Sequence, residues 1–440
     1  MKARLVAAGA LVAGAAMFTG GALSPLRNER PASASAPVDV DPAGLVVPGA
    51  GASTDNPVAA LAARVEADPS NAEAHAQLGL AYLQRARDDA DPAALPLAER
   101  ALTRSLELQP RGNLEAFLGM AALANARHEF AESIAWSRRA IASNPYDASG
   151  YGLLGDASFE LGRVGAADAA YQKMVDVRPD VASYVRASYA LQYHGRTKAA
   201  IGVMRLALKA AGPNGETAAW VRHQMGDVYA GLGDNRRAAR QNRIGIALAP
   251  GYAPPMVGLA EAHIAKGRLE QATEIVEAAV AELPALEYLI ALGDLYRATG
   301  RHDDARAQYR VVADKLGEYR HNGVLPDADF VVFYADQGIR SRAALREAFA
   351  IYRDRPTAKT ADALGWMLHS LGRDRAAWRF ATEAVRAEPR DALTSFHAGV
   401  IARSLGRDAA AVRLARAAIT LDPSFSVIHA PTARRMAGRA

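Results

Sequence analysis

The sequence predicts an all-α protein, a solenoid of about ten stacked antiparallel helix pairs. Two observations predict it. A unit of about thirty-two residues recurs with small, aromatic and proline residues at fixed places, and no stretch reads as a strand. The clearest copy runs from Ala148 to Pro179. Counting Ala148 as place 1, it shows Leu154-Gly155 at places 7 and 8, Gly162 at 15, Ala167 at 20, Tyr171 at 24 and Pro179 at 32.

Each place has a physical reason. Gly155 and Ala167 are small where two helices cross, so that Leu154 and Tyr171 can interlock beside the crossing. Gly162 stands where the first helix must end in a left-handed residue, and Pro179 cannot continue the second helix. This pattern resembles the tetratricopeptide repeat, a helix-turn-helix unit of about 34 residues that stacks into a solenoid. The resemblance implies a right-handed superhelix whose concave inner wall is built from the first helix of each copy.

The copies follow in order. Val58 to Ala67 reads as a lone capping helix. Full copies follow over 72–110 (lengthened around Arg87 to Pro92), 114–145, 148–179, 181–212, 219–250 and 253–284, and another begins at Leu286 with its second helix ending near Leu316. The loop Gly317 to Asp327 interrupts the array. The copy at 325–356 is divergent, with Gly338 one place early, and 358–389 and 392–423 are regular. The solenoid therefore covers residues 57–431, interrupted near 317–327, and the basic residues 432–440 are expected to fray as a disordered tail.

Ahead of the array, Lys2 and Arg4 precede an uncharged stretch from Leu5 to Leu26, followed by small residues at Gly20-Gly21-Ala22 and Ala32 to Ala36. That order of charge, apolar run and small residues is read by export machinery. Residues 1–26 are expected to be a signal peptide or membrane anchor, and the Pro/Ala/Ser/Gly-rich residues 27–56 a flexible linker. The expected location is extracytoplasmic, secreted or anchored, with membrane contact only through the leader. Of the 52 basic residues 45 are Arg, and with the abundant Ala this is similar to exported actinobacterial tetratricopeptide proteins.

Composition narrows the function. There is no cysteine, which excludes disulfides, thiolate metal sites and a cysteine nucleophile. The formal charge is +5, but the first 36 residues carry +3 of it and the remaining Arg residues are interspersed with acids, which disfavours nucleic-acid binding. No phosphate loop, nucleophile elbow, zinc-protease motif or dinucleotide fingerprint is present. No catalytic residue, cofactor or metal is assigned, and His369, His397 and His429 are read as ordinary packing or exposed residues.

Two features of the inner wall point to a partner. Place 9 is Asp156, Asp227, Glu261 and Asp294 in four copies, and the last three are consecutive, as a groove for a basic segment would require. The alternative is that a polar residue simply follows Leu-Gly in such repeats. In the last three copies Phe333 and Trp366 fall at place 9, His369 at place 12 and Phe396 at place 5, with Asp362 beside them. Exposed on a concave wall these would be a contact site; packed under the divergent copy or the tail they would be core. The reading is a non-catalytic scaffold that binds a protein or peptide segment, basic in character, in its groove. The alternative is an extracytoplasmic carrier or sensor that holds a small ligand or glycan in the aromatic pocket.

Overall fold

The computed structural model describes residues 57–339 and 341–438, so the leader and linker expected over 1–56 lie outside the described residues. Among the described residues there are helices and no strand. Helix α1 (Pro57–Ala67) stands alone and ten pairs follow. They are α2 (Ala72–Asp88) with α3 (Ala94–Leu108), α4 (Leu114–Ala126) with α5 (Phe130–Ser143), α6 (Ala148–Glu160) with α7 (Val164–Val177), and α8 (Val181–Tyr193) with α9 (Thr197–Ala211). Next come α10 (Gly215–Ala230) with α11 (Asn235–Leu248), α12 (Ala253–Ile264) with α13 (Leu269–Glu282), and α14 (Leu286–Ala298) with α15 (His302–His321). The last three are α16 (Ala328–Asp336) with α17 (Arg342–Asp354), α18 (Ala358–Ser370) with α19 (Asp374–Ala387), and α20 (Ala392–Ser404) with α21 (Asp408–Leu421). Helix α22 (Ala430–Ala437) ends the array.

The small places do what the sequence requires of them. A Cβ on Gly155 would come within 2.4 Å of the Tyr171 ring, and one on Gly293 within 2.5 Å of the Tyr309 ring. Gly162 takes the left-handed turn at φ 70°. In the copy at 114–145 that place is His128, which adopts φ 63° without being glycine, a conformation that costs roughly 1 to 2 kcal/mol for a residue with a Cβ.

Two expectations are corrected. Helix α15 runs to His321, beyond Leu316, because Tyr319 packs with Val324 into the core of the first two pairs. The tail at 432–440 does not fray through its described residues, since α22 buries Ala430, Ala433 and Met436. The divergent copy forms a pair, with α16 only 9 residues long and its turn at Gly338.

The superhelix also closes on itself. The Leu325 amide donates to the Arg127 carbonyl at 3.1 Å. Arg355, 3% exposed, donates to Asp327 at 3.1 Å, lies 3.9 Å from Glu160 and covers the Phe130 ring. Ala90, in the lengthened first copy, is buried with Val257, Ala279 and Tyr288. Early and late copies therefore touch across one turn.

Candidate functional site

The residue at place 24, from the second helix, decides what becomes of the carboxylate at place 9. In the third and seventh copies place 24 is tyrosine, and its hydroxyl donates to the carboxylate: Tyr171 to Asp156 at 3.1 Å and Tyr309 to Asp294 at 2.7 Å. Asp156 is further clasped by Arg186, whose Nε and Nη2 donate at 2.9 and 2.8 Å. In the fifth and sixth copies place 24 is Asn242 and Val276, which leaves Asp227 and Glu261 without a tyrosine at that place.

Those two carboxylates face a cleft of about 300 Å³, lined also by Glu287, Tyr288 and Asp294. No Lys, Arg or His lines it among the described residues. Burial pushes Asp227 up to about 8 and Asp294 and Glu287 up to about 7. Glu261 is raised well above the carboxylate range by burial and by Asp227 and Asp422 beside it. His223 lies 3.6 Å from Asp227 but brings no charge. Burial holds its ring down to about 4. Asn242 spends its amide nitrogen on the Ala238 carbonyl, so its oxygen accepts from His223 Nδ1–H and leaves Nε2 unprotonated.

The structure thus brings Asp227, Glu261 and Asp294 together on one wall, and it adds Glu287, which the sequence reading missed. Glu287 stands at place 2 of its copy, on the same helical stripe as place 9, and that register could have found it. The opposite side of the cleft is the chain's own segment Thr420 to Val427. Val427 packs against the core of Ala260, Val276, Leu292 and Leu295. The groove is therefore partly filled from within.

The aromatic residues lie elsewhere and are not exposed. Phe333 is 4%, Trp366 8% and Phe396 2% exposed, and Asp362 is buried, so the expected open patch on the concave wall is absent. The reason is volume. Where place 9 is Phe333 or Trp366, place 24 is Ala348 or Ala381, and the ring fills the space that a tyrosine occupies in other copies. Trp366 stacks on His397 at 4.0 Å between centroids, with His369 at 5.1 Å. Its Nε1 donates to Asp336, which also meets His429 Nε2 at 3.1 Å. Burial alone would favour a neutral His397, but Asp362 at 2.8 Å from its Nδ1 outweighs that and raises it. His429 and α22 close over the cluster.

Comparison with known proteins agrees with this architecture. Residues 148–181 and 257–319 match models described as tetratricopeptide repeat. Over 215 residues, 46% of this chain, the sequence is 24% identical to anaphase-promoting complex subunit 7 of Arabidopsis thaliana, and the match spans 38% of that relative's length. Similar solved structures include the APC/C hetero-tetramer Cut9–Hcn1, at 12% identity over 86% of this chain and 92% of that one, with a TM-score of 0.43. Yeast Tom70 is 12% identical over 86% of this chain and 91% of its own, with a TM-score of 0.39. A thermophilic tetratricopeptide protein of Thermus thermophilus is 21% identical over 46% of this chain and 98% of its own, with a TM-score of 0.36. The chain carries tetratricopeptide repeats, stacked into an all-helical superhelical solenoid.

Proposed function

We propose that this protein is a non-catalytic interaction scaffold that holds an extended basic segment of a partner protein against its inner wall. The observation that carries the reading is the cleft between α10, α12, α14 and residues 420–427, where Asp227, Glu261, Glu287 and Asp294 converge with no cation among the lining residues. A guanidinium or ammonium group entering it would supply the missing counter-charge and let the carboxylates ionise. Residues 422–427, a stretch of turns after α21, already lie along this wall, which supports a groove wide enough for a polypeptide segment. The carrier reading has less support, because both Trp366 and Phe396 are covered.

The test is fluorescence anisotropy with a labelled arginine-rich peptide, comparing the wild type with Asp227→Asn/Glu261→Gln/Asp294→Asn. The reading expects saturable binding that the triple variant weakens by about tenfold or more, as lost charge pairs do. Equal affinity in both proteins would overturn it. The leader is proposed to deliver the scaffold outside the cytoplasm, which fractionation with N-terminal sequencing checks; a soluble cytoplasmic pool retaining Met1 contradicts that.

A further inference from the structure

The outer face of the solenoid carries two stripes of opposite charge in the same register. On α11 the exposed residues at helix positions 2, 6 and 9 are Arg236, Arg240 and Arg243, and the helix contains no acid. On α13, the next outer helix, the same positions are Glu270, Glu274 and Glu277, and the helix contains no cation. Spacings of four and three place each set on one side of its helix. Glu277 is engaged by Arg301 at 2.8 Å and by Tyr296, while Glu270 and Glu274 stand exposed. On the other side of α11, α9 continues the positive sign with exposed Lys198, Arg205 and Lys209 and no acid.

We propose that this face docks a second copy of the chain. Successive outer helices of a stacked array run in the same direction. A two-fold axis parallel to α11 and α13, between them, lays each α11 over the other copy's α13 with positions in register. Arg236 then meets Glu270, and Arg240 meets Glu274, twice over by symmetry. Such a contact is isologous and closes as a dimer. A single-sign anionic surface, such as an acidic bilayer, would suit α9 and α11 but would be repelled by α13 beside them. The presence of both stripes favours the second copy. Because the contact rests on exposed charge, it should be held at low ionic strength and lost as salt is raised.

The experiment is light scattering after size exclusion, with helicity checked by circular dichroism. Wild type should be a dimer at about 30 mM salt and a monomer at about 500 mM, where the Debye length falls to a few ångströms. Arg236→Glu/Arg240→Glu and Glu270→Lys/Glu274→Lys should each be monomeric alone, and mixing them should restore a dimer containing one of each. Combining all four changes in one chain should restore the homodimer. A wild type monomeric at both salts would overturn the proposal, as would a dimer that ignores the reversals or variants that fail to rescue one another. Binding of wild type to phosphatidylglycerol vesicles without self-association would overturn it in favour of the lipid.

Discussion

His128 Nδ1 lies 2.8 Å from the carbonyl oxygen of Leu325, 197 residues further along the chain. Facing a carbonyl, Nδ1 carries the proton and donates. His128 occupies the turn place that glycine takes in most copies, in a left-handed conformation, and burial holds its ring below the usual imidazole range. The strained turn residue is thus the one that ties the early copies to the late ones. His128→Gly should keep the turn and remove the tie. Amide exchange at Leu325, whose N–H is bonded to Arg127, should accelerate in that variant while exchange within α4 and α5 changes little.

Arg355 should be the costlier half of the same closure. Its removal leaves the buried Asp327 and the half-buried Glu160 without their guanidinium. Arg355→Ala is expected to lower stability by about 3 to 5 kcal/mol, the usual penalty for breaking a buried pair from one side. Chemical denaturation measures it, and a loss near zero would mean that the closure contributes nothing.

Gly155→Leu and Gly293→Leu should each cost at least about 1 to 3 kcal/mol, since the new side chain must displace a tyrosine ring at a helix crossing. Each change also pulls that tyrosine from its aspartate. Melting curves that match wild type would contradict the crossing geometry.

Trp366→Ala should unfold more than it unbinds. The ring is packed between His397 and His369 and tied to Asp336, so truncation opens a cavity worth about 3 to 5 kcal/mol. Loss of α22 docking, read as faster amide exchange at Ala433 and Met436, is the expected accompaniment. Full stability with lost partner binding would restore the contact-site reading of the aromatic cluster.

Stability should rise as pH falls from about 8.5 to about 6.5. Asp227, Asp294 and Glu287 bind protons in the fold at pH values where the unfolded chain has released them. Their contribution is full below about 4 and lost as pH rises through 7 to 8. His397, raised by Asp362, acts in the same direction. His223 and His128 act oppositely, because both are neutral in the fold and the unfolded chain protonates them below about 6.5. Thermal melts at fixed ionic strength test this, and the slope above pH 6.5 should flatten in Asp227→Asn/Asp294→Asn.

The repeat register was legible because glycine, alanine and proline at fixed places have few other reasons to recur. Place 9 was legible as acidic, yet its two fates were not, because they depend on Tyr171, Asn242, Val276 and Tyr309 fifteen residues later on another helix. The pairing of an aspartate with a tyrosine at that spacing recurs at 156 and 294, and it could have been read. The burial of Trp366 follows from Ala381 by the same rule of shared volume. The closure through His128 left one trace, a missing turn glycine in the copy at 114–145. Contacts between distant turns of a solenoid leave no periodic signal, so Thr420 to Val427 on the inner wall had none.

Calorimetric titration at pH 7 tests the acidic cleft most directly. An arginine-rich peptide is titrated into the wild type in buffers of differing ionisation enthalpy, which counts the protons exchanged on binding. Ionisation of Asp227, Glu261, Glu287 and Asp294 by an incoming cation requires net proton release of about one or more per peptide, since burial raises all four groups and leaves part of their protons in place at pH 7 before binding. Release should shrink in Asp227→Asn/Glu261→Gln/Asp294→Asn. Binding with no proton exchange in any buffer would place the basic segment elsewhere on the surface and contradict the account.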